Sequence, residues 1–337
     1  MSPKRRIIPV FVPNAGCVHM CVFCDQRRIS GVLASASADD VRNAADSLAG
    51  ADSPAELAFY GGSFTAAPVE YQEELLMAAQ PFLAQCPSRS IRVSTRPDCI
   101  DEPIVDRLKR YGVETIELGA QSMSDDVLFA SRRGHTSADT ARAAGIIKRA
   151  GLSLILQMMT GLPGDTREKS LYTVRRFIEL KPAGVRIYPT VVVRGTELFD
   201  MWQSGRYSEH TVEEAVELCA EICAMLNKAD IPIIRLGLNP TEALSAGDAA
   251  AGAYHPAFGE LVYSKIYYNE AEALLRDIPT GSNITITVPK GRTSVMIGQK
   301  RRNIIKLTKM FALKDIRVIE TDPGALRSVT LCEVQAQ

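Results

Sequence analysis

Short apolar, β-branched runs recur along the chain: "RIIPVFV" (6–12), "ELAFY" (56–60), "IRVST" (91–95), "TIELG" (115–119), "LSLILQMM" (152–159) and "VRIYP" (185–189). Between them the apolar positions take helical spacing over 68–84, 101–111, 137–150 and 167–180. Strands alternating with helices of this length predict an α/β fold, a parallel sheet covered by helices. Six units are too few for a closed eightfold barrel and fit a partial (β/α)6 barrel. "TVEEAVELCAEICAMLNKA" (211–229) opens with a capping-box pattern, Thr211 and Glu214, and predicts a long helix. "IPIIRLGLN" (231–239) offers one further strand. Past residue 281 the pattern becomes strand, basic loop, helix, strand, turn, strand. The expected division is therefore an α/β body over 1–278 and a small α+β domain over 279–337. No internal repeat or low-complexity tract breaks this scheme.

The chemically unusual residues fall just beyond the C-terminal ends of the expected strands. Three cysteines follow the first strand, and "GGSF" with Gly61, Gly62 and Ser63 follows the second. Ser94 lies in "STRPD", Gln121 in "GAQS", and Gln157 opens "QMMTGLPGD". In parallel α/β sheets and barrels that edge is where ligands bind. These segments converge on one mouth.

Composition sets the class. A chain of 337 residues, 46% apolar and 23% charged, suggests about two globular domains. No apolar run approaches the ~18–20 residues of a membrane span. Pro9 and Pro13 interrupt the stretch after the basic N-terminus, so no signal-peptide core is expected and the reading is cytoplasmic. The net charge of zero hides an asymmetry. Residues 281–337 hold ten Lys/Arg and four Asp/Glu, and 281–312 hold seven basic side chains and no acid. A basic module on a mildly acidic body points to a polyanionic partner.

Three of the eight cysteines, Cys17, Cys21 and Cys24, stand at C-x3-C-x2-C spacing. Clustered cysteines in a reducing compartment bind metal or do redox work more often than they form disulfides. Structural zinc wants four ligands, and the nearest fourth, His19, would require the chain to double back within two residues. A cubane [4Fe-4S] cluster accounts better for three thiolates, leaving one iron open. Cys86, Cys99, Cys219, Cys223 and Cys332 read as packing residues, and His135 and His255 as structural or unassigned.

The cysteine spacing, with Phe23 just before the last cysteine, resembles the signature of the radical S-adenosylmethionine enzymes. The resemblance extends over roughly residues 5–275. "FYGGSFT", "STRPDCI", "ELGAQSM", "SRRGHT" and "MMTGLPGDT" are similar to the branch containing the Elongator catalytic subunit and its shorter bacterial relatives. Oxygen-independent coproporphyrinogen oxidases are more distant cousins. The resemblance implies a radical SAM barrel with a [4Fe-4S] cluster on Cys17, Cys21 and Cys24. It also implies S-adenosyl-L-methionine on the open iron, split by one electron into methionine and a 5′-deoxyadenosyl radical. An external donor such as flavodoxin or ferredoxin would supply the electron. By the same resemblance Gly61, Gly62 and Ser63 border the methionine moiety, and Phe23 lies against the adenine. Ser94 and Gln121 match ribose and methionine contacts, Arg133 the carboxylate-binding arginine, and Gln157 a contact on the fifth strand. Ser94 and Gln157 stand where some cousins carry acids. The full Elongator subunit has an acetyltransferase-like domain after its radical domain; residues 281–337 are too short to supply one, so only the radical domain transfers.

"VMIGQKRRNIIKL" (295–307) resembles the heart of a KH domain, where I-G-x-x-G-x-x-I joins two helices around a loop that clamps a nucleic-acid backbone. Gly298 matches the first glycine, and Arg301 replaces the second. Lys300, Arg301 and Arg302 are expected to contact phosphate directly, with Lys290, Arg292, Lys306 and Lys309 extending the positive face. Three functions follow. The first is a radical enzyme that modifies RNA, tRNA foremost; the second is a radical enzyme acting on a small metabolite such as a tetrapyrrole. The third is a non-catalytic RNA-binding protein with a structural metal.

Overall fold

A computed structural model describes residues 5–13, 17, 21–25, 31, 32, 34–47, 53–241, 244–321 and 329–335. The chain divides into two compact units: 1–212 with 225–256, and 213–224 with 257–337.

In the first unit six parallel strands lie side by side: β1 (Arg6–Phe11), β2 (Ala55–Tyr60), β3 (Ser90–Thr95), β4 (Val113–Gln121), β5 (Ser153–Thr160) and β6 (Gly184–Pro189). After β6 comes the short β7 (Val191–Val193). The optional strand of the sequence is real: β8 (Ile233–Leu236) pairs in parallel with β6 and completes a seven-stranded sheet. β9 (Ala249–Gly252) pairs antiparallel with β7 as a separate ribbon. The fold is the expected partial barrel, one strand longer.

The strands read as near-continuous apolar runs because helices cover their outer faces. Leu57, Phe59, Ile91, Val93, Ile116, Leu118, Leu156 and Ile187 are all fully buried. Each such side chain contributes roughly 1.5–3 kcal/mol by leaving water. The helices begin where short polar residues can hold the free N–H groups. Asp101 accepts from the amide of Ile104 at 2.8 Å to start Glu102–Arg110. Thr136 and Asp139 form a capping box on Ser137–Arg149, and Thr166 caps Arg167–Leu180. These starts fix where each loop leaves the mouth.

The second unit contains helix Phe258–Leu275, residues 213–224 of helix Val212–Lys228, and the basic segment. Its strands β10 (Asn283–Pro289), β11 (Asp315–Thr321) and β12 (Thr330–Gln335) run in the order β11-β10-β12. β10 is parallel to β11 and antiparallel to β12. Thr293–Ile297 and Arg302–Met310 form two helices joined by a single turn. Ile284, Ile286, Val288, Val295, Met296, Ile304 and Leu307 make its small core. Cys219 and Cys223, one helical turn apart, are fully buried, as packing residues should be. No helix among the described residues is long and apolar enough to cross a membrane.

Candidate functional site

The cysteine loop follows β1 and is pinned from two sides. The amide of Val22 donates to Ser131 O at 3.3 Å, and that of Leu198 donates to Val22 O at 2.7 Å. Val22 and Phe23 pack into an apolar cluster with Val127, Leu162, Leu198 and Tyr207. A turn from Cys24 N to Cys21 O, 3.1 Å long, then brings these two cysteines together. Cys17, Cys21 and Cys24 stay half-buried. Burial, and next the neighbouring Cys21, push the Cys17 thiol up. The same two causes push Cys24 up to about 12. Arg133 pulls both the other way, and Arg96 and the Ser63 backbone pull Cys17 the same way. The three sulfurs thus share one neighbourhood with two arginines. Among the described residues, no three His, Cys, Asp or Glu side chains are grouped so as to hold a metal ion, and Cys17, Cys21 and Cys24 are no exception.

Gly61 leaves β2 with φ +99°, a conformation that strains any residue with a side chain, and its backbone runs beside Pro13. Ser63 is buried; its hydroxyl bonds Thr95 Oγ1 at 2.9 Å and accepts from Arg96 N at 3.2 Å. That links the loop after β2 to the end of β3. Ser94 is half-buried on β3 opposite Glu117.

Arg133 is not a solvated charge. It is buried, donating from Nη2 to Gly119 O at 2.6 Å and from Nη1 to Cys21 Sγ at 3.1 Å. Its Nε has no partner among the described residues, nor has Gln121 Oε1. Gln121 is buried and held at φ +62°, beyond a bulge in β4. Such strain and such orphaned polar atoms cluster at ligand sites. A side chain on Gly119 would come within 3.0 Å of Gln121 Nε2 and 3.4 Å of Arg133 Nη2, so a glycine there makes room for both. The site therefore presents a free acceptor and a free cationic donor beside three thiols. That donor set suits a ligand with an ammonium and a carboxylate next to a thiolate-bound cluster.

Gln157 donates to Glu117 in the barrel interior. There the sequence reading missed a whole ladder. Arg92 pairs with Glu56 at 2.6 Å and with Glu117 at 3.5 Å, and Glu117 also pairs with Arg186 at 3.0 Å. Arg186 in turn reaches Tyr60 and Tyr188. The available signal was period-two placement of Glu56, Ala58 and Tyr60, of Arg92 and Ser94, and of Glu117, Gly119 and Gln121 on one face of each strand. Arg96, bidentate to Asp98 at 3.0 and 2.5 Å, was missed as well.

His135 is buried and lies 3.2 Å from Ala120 O through Nε2, while Nδ1 has no partner among the described residues. Burial, and then Arg133, push it down to about 4. The folded state therefore resists a proton that the unfolded chain accepts below about pH 6.5. Stability is full above that pH and falls by up to roughly 3 kcal/mol as the pH drops from about 6.5 to 4. His135→Gln keeps an N–H for Ala120 and is expected to flatten this interval in thermal melts at pH 7 and 4.5. A variant that loses stability in parallel with the parent would place the cause elsewhere.

In the second unit Lys290, Arg292, Lys300, Arg301, Arg302, Lys306 and Lys309 are all exposed. None of the seven ion-pairs with a described residue. Arg292 lies over the Tyr263 ring at 5.4 Å. The turn between the two helices runs through Gly298 at φ +72°, Lys300 at +51° and Arg301 at +60°. Arg301 thus takes the left-handed backbone that a glycine would favour. Asn303 fixes the turn from below, its Nδ2 donating to Met296 O and Ser264 O at 3.0 Å.

The Radical SAM superfamily model matches residues 11–177, and the Radical_SAM C-terminal domain model matches 182–268. The tRNA uridine(34) acetyltransferase of Methanocaldococcus jannaschii is 31% identical over 193 residues, 51% of this chain and 36% of that protein. Elongator complex protein 3 of Saccharomyces cerevisiae is 30% identical over 193 residues, 51% of this chain and 34% of that protein. The chain thus aligns with about a third of these relatives' length. Among solved structures, Methanocaldococcus infernus Elp3 lacking its first 46 residues superposes with TM-score 0.62 at 24% identity, over 82% of this chain and 66% of that one. Escherichia coli coproporphyrinogen III oxidase superposes with TM-score 0.51 at 19% identity, over 67% and 54%. These two likenesses establish the fold.

Proposed function

The chain belongs to the radical S-adenosylmethionine superfamily, and from that premise we propose that Cys17, Cys21 and Cys24 hold a [4Fe-4S] cluster serving the modification of an RNA, tRNA foremost. A cluster held there would supply the electron that breaks the sulfonium C5′–S bond of S-adenosylmethionine, giving methionine and a 5′-deoxyadenosyl radical. The observation that carries this reading is Arg133, which joins Cys21 Sγ to the β4 carbonyl of Gly119 and keeps Nε free. Its charge stabilises sulfur in the thiolate form, and Nε would hold the cofactor's carboxylate. Gln121 Oε1 would accept from the cofactor's ammonium. Gly61 and Gly62 let backbone close over the methionine chain. Phe23 itself packs inward, which leaves the backbone beside it to meet the adenine. Ser94, Gln157 and Ser63 complete the proposed lining.

For the substrate, the support is the exposed basic side chains of residues 281–312, a stretch that contains no acid, and the tRNA named for the archaeal relative. We take residues 279–337 as a KH-like RNA-binding domain in which Lys300, Arg301 and Arg302 meet phosphates, flanked by Lys290, Arg292, Lys306 and Lys309 around Gly298. Flavodoxin or ferredoxin would deliver the electron. Two measurements test the reading. Anaerobically reconstituted protein is expected to carry about four irons per chain and to release 5′-deoxyadenosine on reduction. Mass spectrometry of RNA nucleosides is expected to lose one modified nucleoside when the gene is deleted. Unchanged nucleosides would move the substrate to a small metabolite. One zinc per chain with no 5′-deoxyadenosine would leave a non-catalytic RNA-binding protein.

A further inference from the structure

Two tyrosines close the buried charge ladder at the mouth of the barrel. Tyr60 is the last residue of β2, directly before Gly61, and Tyr188 is the penultimate residue of β6. One guanidinium holds both: Arg186 Nη2 lies 2.6 Å from the Tyr60 hydroxyl and Nη1 lies 3.4 Å from that of Tyr188. Arg186 is itself fixed by Glu117, which is fully buried. A guanidinium has donors and no acceptor, so each phenol oxygen must accept from it. Each O–H is then turned away from Arg186. Among the described residues neither hydroxyl has an acceptor to give its hydrogen to.

Both residues are mostly buried but not sealed from the surface. Burial pushes Tyr60 up to about 12 and raises Tyr188 as well, so both stay protonated donors across the working range. Two adjacent O–H donors, left unpaired where water is scarce, want an acceptor with two lone pairs. A carbonyl oxygen has two; a pyridine-type ring nitrogen has one.

We propose that Tyr60 and Tyr188 form a paired hydroxyl clamp that donates to a ring carbonyl of the base being modified. This rests on RNA being the substrate, and it narrows the substrate class. The target is uracil, cytosine or guanine, each of which carries a ring carbonyl, and adenine, which has none, is excluded. The clamp orients the base without entering the radical chemistry.

The test uses the full chain labelled with 3-fluorotyrosine, without metal, observed by fluorine NMR. Tyr60→Phe and Tyr188→Phe assign the two resonances among the ten tyrosines. Titration with UMP is expected to move both, CMP and GMP likewise, and AMP and ribose 5-phosphate neither. Each Phe variant should weaken UMP about fivefold, the loss of one hydrogen bond. Resonances unmoved by UMP, or moved equally by AMP, overturn the clamp. So does movement with methionine alone, which would assign the acceptor to a cofactor carboxylate. Filter binding of tRNA separates the two readings. If tRNA binds while the tyrosines ignore every carbonyl base, the clamp fails and the RNA reading stands. If UMP moves them while tRNA does not bind, RNA falls and the tyrosines read the carbonyl base of a free nucleotide instead.

Discussion

Cys21→Ala is expected to drop iron from about four per chain to below one, and to cut 5′-deoxyadenosine formation by at least about a thousandfold, some 4 kcal/mol of barrel-mouth chemistry. Cys21 is the cysteine to choose because its sulfur already accepts from Arg133 at 3.1 Å. The substitution removes the proposed ligand and leaves Arg133 with Gly119 O as its acceptor. Fold damage should be slight, since Cys21 is only half-buried and lies in a loop held by its neighbours Val22 and Phe23. Thermal melting checks that point. Cys86→Ala is the matched control: that thiol is buried beside Ser88 and away from the mouth. It should keep full iron. A Cys21→Ala protein that retains the cubane absorption would show that the three-cysteine spacing is not the ligand set.

Much of this was legible because the signals are local. The strand–helix alternation is a pattern of neighbours along the chain, and so are the cysteine spacing and the glycines after β2. Even the marginal strand β8 showed as "IPIIRLGLN", though Pro232 and its four-residue length left it optional. What was not legible is long-range. Arg133 is 112 residues from Cys21, and Arg186 is 126 from Tyr60. From sequence, Arg133 is one of two adjacent arginines at a helix end; only the fold buries it while Arg132 stays exposed beside Glu197. Glu56, Arg92, Glu117 and Arg186 look like ordinary flanking charges on apolar strands. Curling the sheet brings them into one balanced set, two acids and two arginines, which offsets the desolvation that each would suffer alone. The bond from Gln157 to Glu117, 40 residues away, was equally out of reach of the sequence.

The turn at 298–301 separates charge from backbone strain. Replacing Lys300, Arg301 and Arg302 by alanine is expected to weaken tRNA binding roughly 10- to 100-fold near 100 mM salt. The slope of log K against log salt should fall by about 2 if all three meet phosphates. The three side chains are exposed and ion-pair with no described residue, so their loss should leave the melting temperature unchanged. Arg301→Gly then divides the effect. At φ +60° an arginine costs roughly 1–2 kcal/mol that glycine does not. That variant should melt several degrees higher and yet bind RNA less tightly, because one phosphate contact is gone. Stability and affinity moving in opposite directions marks a strained residue retained for its charge. An unchanged salt slope in the triple variant would mean that this face carries no nucleic acid, whatever its charge.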